Sequence, residues 1–354
     1  MKRLFLSFLP LFLAAVTAFG AFLESDFPKG KPQGPQPPRP PRPILIPRPP
    51  ENEVSTLIRS VSVGTSYHHR GLTVFPLTLR QDLDWRNYLT LDEGIRSGQV
   101  DIIETGVVAQ VRIQNRSRSS LFIMSGEVLV GGKQNRMIRE DVVVPSRGTV
   151  TIGSYCVEKG RWEGEAKQFR SGSTLTLPGL RMKAARKANQ DAIWKDIAAS
   201  GKKLSVKSPT EDFQSLYESE AARRELKGYR AAFRPIWRRA VAGIVVCRFG
   251  RIVGAEIFGN LALAQKLQHK ILDSYVLDRL HYPMAIRRIR QVTQAEVRRF
   301  LDKVHSSRIN YSSTPGEGRS VSISGAANGS ALSVRGVVVH LNLFEGVTNY
   351  RRVE

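Results

Sequence analysis

The chain predicts an α+β protein with a β-rich N-terminal half, followed by a half that mixes helices with a hairpin and C-terminal strands. Two patterns predict this. From Leu72 to Tyr155, short apolar or alternating runs rich in β-branched residues are punctuated by Gly and Pro. Beyond Thr176, apolar positions spread to helical spacing and capping residues stand in front of them. No repeat of solenoid period occurs in either half.

Residues 1–20 start Met1, Lys2, Arg3, run apolar from Leu4 and close on Ala18 and Gly20, the pattern of a secretory signal peptide. The apolar run is short for a membrane span of about 20 residues, although an uncleaved segment would serve as an N-terminal anchor and bring membrane contact. No cysteine follows the cleavage region, so lipoprotein attachment is not supported. Residues 21–52 form a basic, proline-rich linker, FPKGKPQGPQPPRPPRPILIPRPP over Phe27–Pro50. Proline fixes φ and donates no backbone hydrogen bond, so an extended spacer is expected. Residues 53–354 are globular in composition, enough for one sizeable domain or for two lobes, 53–177 and 178–354. The expected location is periplasmic or extracellular.

Strands are expected at Val54–Val63 and Leu72–Leu79, with a polar turn over Tyr67–Gly71 between them. Thr90 is expected to cap a short helix over Leu91–Ser97, with Glu93 as its capping-box partner. Ile102–Glu104, Gly106–Ile113, Leu121–Met124, Val128–Val130, Val142–Val144 and Val150–Tyr155 continue the strand pattern. A helix is expected over Met182–Ala199, closed by Gly201. Ser208, Pro209, Thr210 and Glu211 resemble a helix start, with Phe213, Leu216 and Tyr217 on the apolar side. Ala240–Cys247 and Ile252–Phe258 form a hairpin pattern around Arg248, Phe249 and Gly250. Asn260 caps a long helix through Leu280, and Thr293 with Glu296 opens another that ends near Val304. Strands near Ser320–Ile323, Ala331–Val334 and Val337–Leu343 close the chain.

The 54 basic and 31 acidic residues leave a formal charge of +23, a balance that favours anionic partners. Export argues against chromosomal DNA or ribosomal RNA, and no RNA-recognition, helix-turn-helix or zinc-finger signature is present, so nucleic acid is not an expected partner. With Cys156 and Cys247 as the two cysteines, the chain is no disulfide scaffold. Two separate buried thiols are expected, with a bridge or a nucleophilic Cys156 as the alternatives.

Polar chemistry concentrates in Met124–Trp162. Lys133, Gln134, Asn135 and Arg136 supply many donors over four residues, suited to phosphate, carboxylate or carbonyl groups. Glu104, Glu127 and Glu158 offer carboxylates for acid–base work or as partners of those cations. Trp162 beside Arg161 would stack on a ring or cover the core edge. Equally, the cluster would serve as a network that clamps neighbouring strands. Several signatures fail. Gly126, Gly131, Gly132 and Lys133 lack P-loop spacing, and Gln134 stands where a magnesium-binding Ser or Thr belongs. No G-x-S-x-G elbow, H-E-x-x-H or C-x-x-C occurs, so neither a serine nucleophile nor a metal site is expected, and no cofactor is implied. His340, inside an apolar strand, is expected to be a hydrogen-bonded core histidine, with a place on a site wall as the alternative.

SGEVLVGGKQNR, the Val144–Pro145 step and CVEKGRW resemble the ADP-ribosylglycohydrolase- and rhodanese-phosphatase-associated protein domain family. GLTVFPL, YLTLDE, Asn115, Ser208 with Thr210, Gly243, GAEIFG and VVHLNLF extend the likeness across nearly the whole globular region. The resemblance implies a prokaryotic domain associated with enzymes that process ADP-ribose and phosphate groups. It marks Glu127, Lys133, Gln134, Asn135, Arg136, Cys156, Glu158, Arg161 and Trp162 without assigning roles. The leading expectation is an exported domain that binds an anionic nucleotide-like or sugar-phosphate ligand, or an envelope partner. There Lys133 and Arg136 would neutralise charge, Gln134 and Asn135 would orient, and Arg161 and Trp162 would complete the site. The alternatives are a hydrolase or transferase on an ADP-ribose-like or glycan substrate, with Glu127 or Glu158 as general base, and a structural envelope protein.

Overall fold

The computed structural model describes residues 52–161, 168–237, 240–283 and 290–345. The expected signal peptide, the linker up to residue 51, and Trp162 lie outside the described residues.

The first element corrects an expectation. Val54–Val63 is not one strand: α1 spans Glu53–Ser60, and β1 is confined to Ser62–Val63. Val54, Leu57, Ile58 and Val61 fall three and four residues apart and are all buried, while Asn52 Oδ1 accepts from Ser55 N at 2.9 Å. Helical spacing and a cap outweigh the β-branched composition. The polar turn is also shorter than expected. Tyr67–His69 is β2, antiparallel to β3 (Leu72–Thr78), which leaves Arg70 and Gly71 to reverse the chain at positive φ.

β4 (Tyr88–Thr90) runs into α2 (Leu91–Arg96), where Thr90 and Glu93 form the expected capping box. Next come β5 (Val100–Glu104), β6 (Gln110–Asn115), β7 (Ser120–Ile123), β8 (Glu127–Gly131), β9 (Arg136–Ile138), β10 (Val142–Val144), β11 (Thr149–Cys156) and β12 (Phe169–Leu175). β6 starts later than expected because residues 106–109 form a turn braced by the Thr105 hydroxyl.

The expected helix Met182–Ala199 is two helices, α3 (Pro178–Ala185) and α4 (Gln190–Leu204). Lys187 breaks the run at φ 56°, and Asn189 Oδ1 recaps it at Ala192 N, 2.9 Å away. Gly201 lies within α4, and the end falls at Ser205 in the left-handed region. No helix starts at Ser208. Its hydroxyl accepts from Asp212 N at 2.9 Å, Glu211 has φ 50°, and α5 spans only Gln214–Glu218. An ST-type turn has taken the place of a cap. Phe213, Leu216 and Tyr217 are nevertheless buried. Ser219 then caps α6 (Glu220–Phe233).

β13 (Val241–Arg248) and β14 (Arg251–Phe258) form the expected hairpin, with Phe249 and Gly250 both at positive φ, as a tight two-residue connection requires. α7 (Leu261–Leu280) is capped by Asn260, and α8 (Gln294–Asp302) by the Thr293–Glu296 box. β15 (Arg308–Ser313), β16 (Arg319–Ser324), β17 (Asn328–Val334) and β18 (Val337–Phe344) close the described chain.

Three sheets result. The nine-stranded one runs β1-β3-β13-β14-β18-β17-β16-β15 with β2 also on β3, so it draws strands from both sides of residue 177. A three-stranded sheet (β10-β7-β4) contains the parallel β4–β7 pair, and a six-stranded sheet is ordered β12-β8-β9-β11-β6-β5. β13 is buried along its whole length because both its faces are covered. Ile244 and Val246 pack with Tyr275 and Leu272 of α7, whereas Val245 and Cys247 join α1 and α8 through Leu57 and Phe300. Cys156 and Cys247 are free and buried, as two separate thiols predict.

Candidate functional site

The β8–β9 turn carries GKQNR. Its reversal uses Gly131 (φ 125°) and Gly132 (φ 53°), and a Cβ on Gly132 would stand 2.4 Å from the Phe169 ring. β9 then pairs with the end of β11 in the register Arg136↔Cys156, which brings GKQNR against CVEKGR.

The two segments bond each other. Val157 N donates to Asn135 O at 2.9 Å, and Asn135 N donates to Glu158 Oε2 at 3.1 Å. Arg161 reaches across: Nε to Glu158 Oε1 at 2.9 Å, Nη2 to Glu158 Oε2 at 2.7 Å, and Nη1 to Gly132 O at 2.9 Å. Asn135 Oδ1 accepts from Gly131 N at 2.9 Å, and its amide donates to Asp212 at 2.9 Å. Gln134 Oε1 accepts from the Cys156 thiol at 3.1 Å and from Arg136 Nη1 at 3.2 Å. Arg136, fully buried, also lies 3.6 Å from Glu104 Oε2. Thr210 Oγ1 donates to Glu158 Oε1 at 2.9 Å. In the sequence Thr210 stands only in the Ser208–Glu211 helix-start pattern and in the family likeness, and Asp212 stands in no motif.

Electrostatics follow from these contacts. Burial pushes the Glu158 carboxyl up, but Arg161, the Asn135 amide and the Thr210 hydroxyl together hold it below its ordinary value. Burial raises Asp212, with Glu158 adding to the effect against the Asn135 and Gln214 hydrogen bonds. Burial likewise pushes the Cys156 thiol up, against the thiolate a nucleophile needs.

Glu127 belongs to another group. It is 0% exposed, takes Met124 N at 2.9 Å, and is ion-paired with Lys270 of α7, which also holds Asp92 at 2.8 Å. Burial lowers Lys270, but its two carboxylates outweigh this and keep it charged. Because Glu127 and Arg136 are sealed from solvent, the expected set of Glu127, Lys133, Arg136 and Glu158 does not line one solvent-reachable cleft. Lys133 alone of the four is partly exposed.

A third buried group joins separate elements. Arg181 of α3 bonds Glu256 of β14 at 2.6 Å, and Tyr275 OH donates to the same oxygen at 2.9 Å. His340 lies between Glu256 (Nε2, 3.1 Å) and Asp141 (Nδ1, 2.7 Å), and is a hydrogen-bonded core histidine. Burial opposes its protonation, yet the two carboxylates raise it to about 9. Arg181 and Lys270 lie in helical stretches where a basic residue is ordinary, whereas Glu256 inside the apolar GAEIFG strand is a visible anomaly.

A family model described as the ARG and Rhodanese-Phosphatase-superfamily-associated Protein domain matches residues 60–344. The chain belongs to this family, ARPP-1. The ARPP-1 match runs from the end of α1 to the end of β18, so all three polar groups lie within the domain. No curated protein and no solved structure matches the chain.

Proposed function

We propose that this ARPP-1 chain is an exported binding domain in which the joined GKQNR and CVEKGR segments brace a cationic surface, led by Lys133, for an anionic ligand or envelope partner. The carrying observation is that the two segments hold each other. Glu158 is committed to Arg161, Asn135 and Thr210, and Glu127 to Lys270 and Met124, so neither candidate base has a free oxygen facing solvent. Among the described residues of the joined segments, Arg136 lies against Glu104, Arg161 against Glu158 and Asn135 against Asp212, with Lys133 and Lys159 in the same stretch. Lys159 is exposed, and Lys133 and Arg161 are half-buried, which puts cationic groups at the surface of the joined segments.

The test is a thermal-shift screen of the full chain against inorganic polyphosphate, ADP-ribose and sugar phosphates. A ligand at about a hundred times its Kd adds about 2.7 kcal/mol, a rise of roughly 5 °C for a domain this size. A Lys133→Ala variant is expected to fold with unchanged Tm and to lose the rise. If no anion raises Tm, the proposal fails. Turnover of an ADP-ribose-like substrate that disappears in a folded Glu158→Gln variant would replace it with the hydrolase alternative.

A further inference from the structure

We propose that the chain joins its own helices α2 and α7 by an amide bond between the side chains of Lys270 and Asp92, with the buried Glu127 as proton carrier. The bond is independent of the Lys133 surface and of any ligand.

The geometry sets one cation against two carboxylates. Lys270 of α7 is buried, and its ammonium donates to Asp92 Oδ1 of α2 at 2.8 Å and to Glu127 Oε1 of β8. A structural ion pair needs one carboxylate, and a second one beside it adds desolvation cost with no cation of its own. Lys266, one turn earlier on α7, is taken by Glu93 at 3.0 Å, and Arg230 is taken by Asp273. The three groups therefore form a closed set of amine, carboxyl and spare carboxylate.

The two carboxylates differ in the ways a condensation requires. Asp92 is the acyl partner. Its Oδ1 also accepts from the Ser171 hydroxyl at 2.5 Å, a donor on the oxygen where negative charge develops. Its Oδ2 makes no hydrogen bond among the described residues, and the side chain is 21% exposed, so a departing water has a route out. Glu127 is the fixed partner. It is 0% exposed, and Met124 N holds its Oε2 at 2.9 Å while Oε1 faces the ammonium. Burial raises its carboxyl, so it takes up a proton readily.

The step balances without an added reagent. Lys270 rests as the ammonium. Transfer of one proton to Asp92 turns a buried ion pair into a neutral amine and a neutral acid, a change that burial favours. The amine lone pair then forms the bond to the Asp92 carboxyl carbon, and the carbonyl electron pair moves onto Oδ1 beside Ser171. A second nitrogen proton passes through Glu127 to the Oδ2 hydroxyl. Oδ2 leaves as water when the carbonyl re-forms, the third proton stays on the amide nitrogen, and Glu127 returns to its starting state. The product ties together positions 178 residues apart, while Cys156 and Cys247 remain free thiols.

The experiment is mass spectrometry of the full chain after denaturation and digestion with trypsin. Joined Lys270 is no longer a cleavage site, so wild type is expected to yield peptide 87–96 attached to peptide 267–279, less one water. Glu127→Gln keeps an acceptor for Met124 N and leaves Asp92 to neutralise Lys270, so it is expected to fold. It should form the bond about a hundredfold more slowly or worse, and release 87–96, 267–270 and 271–279 separately. Asp92→Ala, in which Glu127 still neutralises Lys270, should fold and show no branched peptide. The wild-type digest decides the bond whether or not either variant folds. Unbranched peptides from wild type, a bond from Lys270 to Glu127, or equal branching in Glu127→Gln would overturn the proposal.

Discussion

A His340→Gln variant is expected to lose a stability increment that itself vanishes at alkaline pH. His340 is fully buried and its two ring nitrogens face Asp141 and Glu256, with Arg181 and Tyr275 on the far side of Glu256. The folded protein therefore holds the imidazolium up to about pH 9, while an unfolded histidine releases its proton near 6.5. A folded value above the unfolded one gives stability that is fully present below about pH 6.5. Between that value and about 9 the unfolded chain binds fewer protons than the folded one, so stability falls with rising pH, by about 1.4 kcal/mol per pH unit. Across the window the loss comes to about 3 kcal/mol, and above it the increment is gone. The assay is urea unfolding of both proteins at several pH values. Groups common to both cancel, so the wild-type advantage over His340→Gln should shrink by about 3 kcal/mol from the acid to the alkaline side of the window. A difference independent of pH would refute the charged-histidine argument, and a difference that grows with pH would reverse its sign.

Arg181→Met should destabilise the fold by about 3–5 kcal/mol in the same assay, because it leaves Glu256 buried without its guanidinium. Glu158→Gln should cost about 1–3 kcal/mol by weakening the contacts with Arg161, and the cycle with Arg161→Ala should show coupling between the two. Gly132→Ala should lower Tm by several degrees, since its φ is 53° and an added Cβ would strike the Phe169 ring. Thiol labelling of the native protein should be negligible at Cys156 and Cys247 and reach both on unfolding, because both sulfurs are buried and their pKa values are raised, Cys247 to about 12.

Features governed by neighbours within a few residues were legible in sequence. The Thr90–Glu93 and Thr293–Glu296 boxes, the Asn260 cap and the Phe249–Gly250 hairpin are set by local hydrogen bonds and sterics, and each forms as expected. Where two local patterns competed, the sequence misled. Val54–Val63 has strand composition and helix spacing, and burial of Leu57 and Ile58 against the sheet decided for the helix. Ser208–Glu211 has the letters of a capping box, but Asp212 N took the serine hydroxyl and turned the chain instead. β15, RINYSS, is exposed along most of its length and held through its pairing with β16, so it offered no apolar alternation to detect.

By itself, then, the sequence determined the α+β class, the family and the unusual density of polar side chains in GKQNR and CVEKGRW. The tertiary structure decided what those side chains touch. Pairing of β9 with β11 set Asn135 and Gly132 against Glu158 and Arg161, and helix α7, more than a hundred residues further on, carried Lys270 to Glu127. Hydrogen-bond partners of buried charges are chosen by sheet register and helix docking, which act between segments distant in the chain. Residue spacing alone therefore showed the polar groups but left their partners open.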